Sequence, residues 1–387
     1  MAEKVRLGII GLGAQGGFYY NLIQNGQVPN MEIGAICDID ESKKERADEI
    51  GVPFYTDYIE MLESGNVDAV VTTVPHYLHP EMGIEALTRG IHTLIEKPAG
   101  VYTKQADELF DFADTKPELK FGVFFNQRTN PLYIDLKELI DSGELGNLRH
   151  TSWIITNWWR PQGYYDQSEW RATWGGEGGG VLVNQAPHQL DLWQWLCGVP
   201  VSCFAHLAFG FKRDLVVEDE VNAIVDFGEG RSGHFMTCTN DMIGTDRLEI
   251  LFDKGKIVVD DSKKVTITRL TENEQELSKG MSMDDVRRIF MGQVDMKQYM
   301  ETEVKEYEFV MGQQHSDILK NFADAVLNDA PLVAKGRDGI NGVRLANAMQ
   351  LSAWTGQPVD MADFPAEQYL SELNKRIEEE GKFATRS

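Results

Sequence analysis

A lysine and a glutamate stand together in the motif Glu96-Lys97-Pro98, which follows an apolar run ending at Ile95. Such a run predicts a buried strand, and the carboxyl end of a parallel strand faces the crevice where these sheets bind ligands. A lysine held there can stabilise a developing negative charge and relay a proton. We therefore expect Lys97 to take part in catalysis and to border a bound cofactor. For Glu96, a structural or cofactor-binding role and a catalytic role are equal alternatives.

A second polar group follows the glycines at 178–180 and consists of Asn184, His188 and Asp191. Spacings of four and three residues place these side chains on one face of a helix that the sequence predicts over 183–196. A histidine flanked by an amide and a carboxylate can act as a general base. We expect His188 to be that base, with Asn184 and Asp191 beside it at the substrate. The alternative is a hydrogen-bonded structural histidine.

Five of the eight tryptophans lie within 153–174, interleaved with tyrosines and arginines. Large rings beside polar groups can cover the C–H face of a sugar while the polar groups bind its hydroxyls. Packing in the core is an equal alternative for any one of these rings. We expect a wall for a sugar ring that includes the side chains Trp153, Trp158, Arg171 and Trp174.

The glycines of Gly11-Leu-Gly-Ala-Gln-Gly16 form a G-x-G-x-x-G pattern. It comes after an apolar strand over 5–10 and before a helix, which is the context that a dinucleotide-binding loop requires. Asp38 ends the next strand, where a carboxylate accepts hydrogen bonds from the adenine ribose and repels a 2′-phosphate. The sequence thus favours NAD over NADP, with a plain glycine turn as the alternative. The expected cofactor contacts in this loop are Gly11, Gly13, Ala14, Gln15 and Gly16.

The order of predicted strands and helices that must position these motifs changes near Asn126. Before that residue, short apolar runs alternate with helical patterns, which predicts a parallel sheet with crossover helices. After it, strand-like segments follow one another without long helices, which predicts a mostly antiparallel sheet, and helices close the chain. We therefore expect a Rossmann domain over 1–125 and an α+β domain over 126–387 that binds substrate. The polar, methionine-rich stretch 271–303 is expected to be an excursion from the second sheet.

Net charge, cysteine spacing and the lengths of the apolar runs limit the classes of partner and the location that we expect for this protein. The chain has 387 residues and a formal net charge of −24, which disfavours nucleic acid and anionic lipid as partners. The four cysteines lack the spacing of zinc ligands, so we expect reduced thiols and no metal. The amino terminus does not resemble a signal peptide, and no apolar run has the length of a membrane span. A cytoplasmic protein is expected.

Over nearly the whole chain, the glycine loop, Glu96-Lys97-Pro98 and the segment leading to His188 resemble the Gfo/Idh/MocA family, which includes glucose–fructose oxidoreductase and inositol dehydrogenase. The resemblance implies a Rossmann domain followed by a domain with an open sheet, through which members form dimers or tetramers. It also implies hydride transfer between NAD or NADP and a hydroxyl of a sugar or cyclitol. Lys97 and His188 then correspond to the catalytic lysine and histidine, and Asn126 and Arg128 to residues near the substrate.

Two positions depart from the family's pattern. Asn184 stands where an aspartate is common, and an amide can orient His188 or bind a hydroxyl but carries no charge. The family's T-P-N-x-x-H motif reads Val-Pro75-His76-Tyr-Leu-His79 here. The resemblance places Pro75, His76 and His79 near the nicotinamide.

Three functions are compatible with this sequence. The first is reversible hydride transfer, with His188 as base and Lys97 stabilising the alkoxide. The second is transient oxidation of a sugar carbon with internal recycling of NAD, which permits elimination, rearrangement or opening of an anhydro bond. The third is a non-catalytic sensor of NAD or sugar, which the uncharged Asn184 would suit.

Overall fold

The computed structural model describes residues 4–387, and its first half is built on a six-stranded parallel sheet with the strand order β3-β2-β1-β4-β5-β6. The strands are β1 (Val5–Ile10), β2 (Met31–Cys37), β3 (Phe54–Tyr55), β4 (Ala69–Thr72), β5 (His92–Ile95) and β6 (Phe121–Val123). Helices α1 (Ala14–Gln24), α2 (Lys44–Ile50), α3 (Tyr58–Glu63), α4 (His79–Thr88) and α5 (Thr103–Asp114) connect them. Every residue of β4 is buried, as expected for a parallel strand that helices cover on both faces.

The second half is built on a nine-stranded sheet, in which β7 and β10 run parallel and the other pairs are antiparallel. Its strands are β7 (Leu148–Ile155), β8 (Ser202–Phe209), β9 (Glu218–Gly228), β10 (Arg231–Cys238), β11 (Asp246–Phe252), β12 (Gly255–Asp260), β13 (Lys264–Leu270), β14 (Met300–Glu306) and β15 (Val359–Asp360). Its helices are α6 (Pro131–Asp141), α7 (Gln162–Tyr165), α8 (Pro187–Cys197), α9 (Glu274–Gly280), α10 (Met283–Phe290), α11 (Gln313–Asn328), α12 (Gly339–Thr355) and α13 (Ala366–Glu380). The predicted fold class is confirmed.

One face of the large sheet is covered and the other is open. Along β9, Val221, Ala223 and Val225 are buried in the core under α8 and α12. The intervening Ile224 is 59% exposed, and Phe204 opposite it on β8 is 48% exposed. This alternation is typical of a strand with one packed and one open face.

The last long helices join the two halves. Ile318, Leu319 and Phe322 of α11 pack in the core of the parallel sheet. Helix α12 contributes Ile340 to that core and Leu345 to the core of the large sheet. Helix α12 therefore packs in both cores and helps to hold the two halves together on either side of the cleft. Within residues 4–387, no helix is both long and apolar enough to cross a membrane.

Two predicted elements differ from the observed ones. The helix predicted over 183–196 begins only at Pro187, because the preceding residues form a turn held by hydrogen bonds from Val183 and Asn184 to the Gly180 carbonyl. The excursion predicted over 271–303 contains α9 and α10, and its last residues already belong to β14.

Candidate active site

The glycine loop connects β1 to α1 with its backbone exposed for a ligand. Gly11 has a φ of 89°, which favours glycine. A Cβ on Gly16 would overlap the Gly11 carbonyl oxygen, so helix and turn approach more closely than any side chain allows. A Cβ on Gly13 would meet nothing within 4 Å. Because no side chain caps α1, its first N–H groups are free to bind phosphate oxygens.

Asp38 is fixed beside this loop. Its Oδ2 accepts from the Leu12 N–H at 2.6 Å and its Oδ1 from the Asp40 N–H at 2.9 Å. Each carboxylate oxygen keeps a second lone pair for a ribose hydroxyl. The neighbouring Ile39 is 91% exposed and offers an apolar surface for a nucleotide base. Loop, helix terminus and carboxylate thus fit a dinucleotide.

A cleft of about 360 Å³ lies between the loop and the second half, which suits a small polar ligand. It brings together the predicted residues Gln15, His76, His79, Glu96, Lys97, Asn126, Arg171, Asn184 and His188. It also includes residues that the sequence did not single out, namely Tyr19, Thr73, Val74, Phe124, Tyr164, Trp170 and His315.

Lys97 is held in the cleft by one hydrogen bond, from its Nζ to the Asn184 carbonyl at 2.9 Å. Burial lowers the pKa of Lys97, and the carboxylates Glu96 and Glu177 oppose that effect. Glu96 accepts from the Lys97 N–H at 3.0 Å and from the Tyr19 hydroxyl. Burial raises the pKa of Glu96. Glu96 therefore places negative charge near the Lys97 ammonium, while both of its carboxylate oxygens already accept hydrogen bonds.

His188 enters the cleft from the first turn of α8. Burial and the positive charge of Lys97 hold the pKa of His188 well below its usual range, so the ring is neutral near pH 7. Its Nδ1 is buried and finds no partner among residues 4–387. Nε2 is therefore the nitrogen left to exchange a proton with a ligand.

Asn184 does not share a helical face with His188 as predicted, because Asn184 lies in the turn before α8. Its Nδ2 donates to Glu177, a buried carboxylate that the sequence did not single out. Asp191 points away from the cleft and accepts two hydrogen bonds from Arg128, at 2.6 and 2.9 Å. Arg128 also donates to Asp338 at 2.7 Å. Arg128 and Asp191 thus form a buried ion network outside the cleft.

The predicted tryptophan wall is mostly core. Trp153 is fully buried and donates to Asp246 at 3.1 Å, and Trp174 is buried with its Nε1 on the Val216 carbonyl. Trp158 packs against the same core and does not line the cleft. The lining ring is instead Trp170. Spacing did not distinguish the core rings from the lining ring, because the four tryptophans after β7 lie outside any helix or strand and have no periodic pattern.

The stretch around Pro75 brings two histidines to the cleft. His79 has both ring nitrogens on carbonyls, those of Pro98 at 2.8 Å and Val74 at 2.9 Å, and burial lowers its pKa to about 4. A neutral ring offers one donor for these two acceptors. His76 lies 3.3 Å from the Glu177 carbonyl, and Pro75 itself does not line the cleft. These histidines border the cleft as neutral groups.

His315 closes the opposite wall from the first turn of α11. Its ring lies 3.4 Å from Asn126 Nδ2 and packs edge-on against Phe18. Burial lowers the pKa of His315 to about 4. No motif includes this residue, which comes to the site because α11 packs back on the parallel sheet.

Comparison with known proteins agrees with this geometry. A model of the oxidoreductase family with NAD-binding Rossmann fold matches residues 5–125, and a model of the GFO/IDH/MocA C-terminal domain matches 133–258. Together they match more than half of the chain.

Individual relatives are distant. The oxidoreductase YrbE of Bacillus subtilis is 25% identical over 93% of this chain and 98% of its own length. The inositol 2-dehydrogenase/D-chiro-inositol 3-dehydrogenase of Lactiplantibacillus plantarum is 28% identical over 50% of this chain, and the match spans 53% of that protein. Levoglucosan dehydrogenase, solved with NADH and levoglucosan, shares the fold with a TM-score of 0.76 at 19% identity, covering 93% of this chain and all of the other. The chain belongs to the Gfo/Idh/MocA family and is an NAD-binding oxidoreductase.

Proposed function

We propose that this protein moves a hydride reversibly between NAD and a secondary hydroxyl of a neutral sugar, glycoside or cyclitol. The observation that carries the proposal is one cleft that joins the dinucleotide loop to Lys97 and His188. Bound NAD supplies the hydride acceptor, and the protein supplies orientation and proton transfer. The two named dehydrogenases above act on polyhydroxylated rings, which supports this substrate class.

His188 is the base in this proposal. A neutral ring can take the hydroxyl proton on Nε2, and positioned acid–base transfer contributes about 10²–10⁴-fold in rate. Lys97 keeps two N–H groups beyond its bond to Asn184 and donates to the oxygen as negative charge develops there. Such a preorganised donor in a dry site stabilises the transition state by about 3–4 kcal/mol.

The charges of the cleft favour a neutral substrate. Lys97 has Glu96 and Glu177 as negative neighbours, and Arg171 lies 3.7 Å from Glu177. Because each cation already has a carboxylate, no full positive charge remains for an anionic substrate. Trp170 provides a flat apolar face for the C–H side of a ring.

NAD is favoured over NADP by the same reasoning. Asp38 would stand against a 2′-phosphate, and the adjoining Ile39 and Asp40 carry no positive charge. We further propose that the chain forms homo-oligomers through the open face of the large sheet, where Ile224 and Phe204 are exposed.

The test uses Lys97→Ala and His188→Ala, with His150→Ala on the large sheet as the control. A panel of sugars, glycosides and inositols is offered with NAD or NADP and followed by NADH absorbance and product mass. Both cleft variants are expected to bind NADH normally and lose turnover by at least about 100-fold, because each removes a transition-state interaction. Near-normal turnover in both cleft variants would contradict the proposal. Formation of a new product by the wild type without net formation of NADH would instead indicate recycling of the cofactor.

A further inference from the structure

Glu177 is a carboxylate next to the cleft that none of the motifs includes. It is 1% exposed and lies in a glycine-rich turn whose backbone packs against other parts of the protein. A Cβ on Gly178 would overlap Val101, so the turn is fixed at close range. Burying a carboxylate is costly unless its oxygens are engaged, and here both are.

The contacts of Glu177 reach three residues that line the cleft. Its Oε1 accepts from Asn184 Nδ2 and lies 3.7 Å from Arg171 Nη1. Its Oε2 accepts from the Ala172 N–H at 2.6 Å, and its carbonyl lies 3.3 Å from His76 Nδ1. Glu177 does not line the cleft itself. It is therefore placed to act through its neighbours.

The first consequence concerns the amide of Asn184. An ionised carboxylate only accepts hydrogen bonds, so the NH₂ group of Asn184 must face Glu177. The Oδ1 atom then faces away from Glu177, and it has no donor within the described part of the chain. With Asn184 on the cleft wall, this oxygen is left to accept from a hydroxyl of the ligand.

The second consequence concerns charge. Asn184 is neutral, yet Lys97 donates to its carbonyl in an environment that penalises the ammonium. Burial lowers the pKa of Lys97, and the negative charges of Glu96 and then Glu177 oppose that lowering in part. Burial raises the pKa of Glu177 as well, but its hydrogen bonds and Arg171 counter this effect.

We propose that Glu177 is the positioning residue of this site: it turns the Asn184 amide so that Oδ1 accepts from a substrate hydroxyl, and it sets a negative charge beside the residue whose carbonyl holds the Lys97 ammonium. The proposal rests on the proposed function. It makes two separable predictions, one on substrate geometry and one on the charge of Lys97.

The central variant is Glu177→Gln, which keeps size and removes charge. A glutamine can also donate, so it lets the Asn184 amide rotate. We expect kcat/KM to fall about 10-fold to 100-fold, as for a misplaced reacting group, with unchanged affinity for NADH. The alkaline limb of the pH–rate profile should move to lower pH by about one unit, because Lys97 loses a negative neighbour. An unchanged limb together with unchanged kcat/KM would overturn the proposal.

Glu218→Gln is the matched control. Glu218 is also buried, and it accepts from the N–H groups of Gly180 and Leu182 in the same glycine-rich turn. Within the described residues, Glu218 makes no hydrogen bond with Asn184 or Lys97. If damage to the turn alone explained the effect of Glu177→Gln, Glu218→Gln would shift the alkaline limb equally.

Competitive acetylation of Lys97 gives a readout that needs no turnover. Acetic anhydride labels only the neutral amine, and mass spectrometry across a pH series then follows deprotonation of Lys97. Labelling should begin at lower pH in Glu177→Gln than in the wild type. Coincident labelling curves would refute the charge assignment even if no substrate is turned over, so failure here is distinct from failure of the proposed function.

Returning the charge tests both roles together. In the variant that combines Glu177→Gln with Asn184→Asp, a carboxylate again stands near Lys97, so the alkaline limb should move back toward the wild type. Asn184→Asp alone sets two carboxylates in contact, and one must hold a proton near neutral pH. We expect a lower kcat in the Asn184→Asp variant. If Glu177→Gln does not fold, this variant by itself tests the proposed role of Glu177. Additive effects in this cycle would contradict the proposal.

Discussion

His188 is kept as a neutral ring by its surroundings rather than by a partner. Its Nδ1 has no acceptor within residues 4–387, and nearby Lys97 repels a second positive charge. This differs from a histidine paired with a carboxylate, whose imidazolium is stabilised. The ring is therefore a base that stays available in mildly acidic solution.

We predict a specific pH dependence from this depressed pKa. If His188 must be neutral to accept the proton, kcat/KM for oxidation should stay level as pH falls from 8 through 6.5. The loss of activity should begin only below the ordinary histidine pKa of about 6.5. Steady-state rates across pH 4–9 check this, with NADH binding as the control. An acid limb centred at or above 6.5 would contradict the assignment.

The sequence identified single residues well where a motif fixed the backbone. Lys97 follows a strand of the parallel sheet, so its place at the cleft followed from topology. His315 was not found, because its contact with Asn126 joins segments far apart in the chain. Glu177 was not found although its side-chain partners Ala172 and Asn184 are close in sequence, because it belongs to no motif. Asn184 was expected on one helical face with His188, but spacing defines such a face only when the first residue of the helix is known. Asp191 was expected at the substrate, but its hydrogen bonds with Arg128 hold it outside the cleft.

At the scale of elements, the β1–α1 turn depends on one close approach. Gly16 touches Gly11 where no side chain fits, while Gly17, the next residue of α1, has nothing within 4 Å of the position of a Cβ. The two glycines are thus neighbours in sequence, but only Gly16 lacks room for a side chain. This pair offers a direct test of the loop.

Gly16→Ala should destabilise the protein by about 1–3 kcal/mol and weaken NADH binding, since the added methyl forces helix and turn apart. Gly17→Ala should instead stabilise α1 by about 0.5–1 kcal/mol and leave NADH affinity unchanged. Urea unfolding and titration of NADH fluorescence measure both quantities. Equal effects of the two substitutions would show that the close approach does not govern the loop.

Elements with strong periodicity were predicted reliably, and those that depend on distant contacts were not. The alternation of strands and helices before Asn126 indicated the parallel sheet, since each segment carries its own pattern. The start of α8 was misplaced because Val183 is apolar and continues the helical pattern into a turn. That turn is defined by its hydrogen bond to Gly180, which periodicity does not reveal.

At the scale of the whole molecule, the open sheet face combines exposed apolar side chains with a chain of net charge −24. Charge of one sign keeps monomers apart, so association must come from apolar area. Ile224 and Phe204 are cross-strand neighbours on β9 and β8, toward the β15 edge of that face. They are the first residues to test for contact with a second copy.

Ile224→Glu is expected to convert a dimer or tetramer to monomers, because it places a charge in the buried centre of the interface. Met283→Glu, at an exposed position of helix α10 outside the sheet, serves as the control and should leave the mass unchanged. Light scattering after gel filtration gives the masses, and circular dichroism confirms folding. A wild-type monomer, or equal masses for all three proteins, would contradict the proposed assembly.

The packing around Gly175 has a consequence for the order in which the site is completed. A Cβ on Gly175 would overlap Phe383, its N–H donates to Glu380 at 3.1 Å, and its carbonyl accepts from Arg386. Glu177 lies two residues further along the same turn. During synthesis on the ribosome, the core of the parallel sheet has all its helices once α12 has emerged, but the turn that carries Glu177 lacks its supports until residues 380–386 emerge. The protein should therefore acquire cofactor affinity before it acquires catalytic competence.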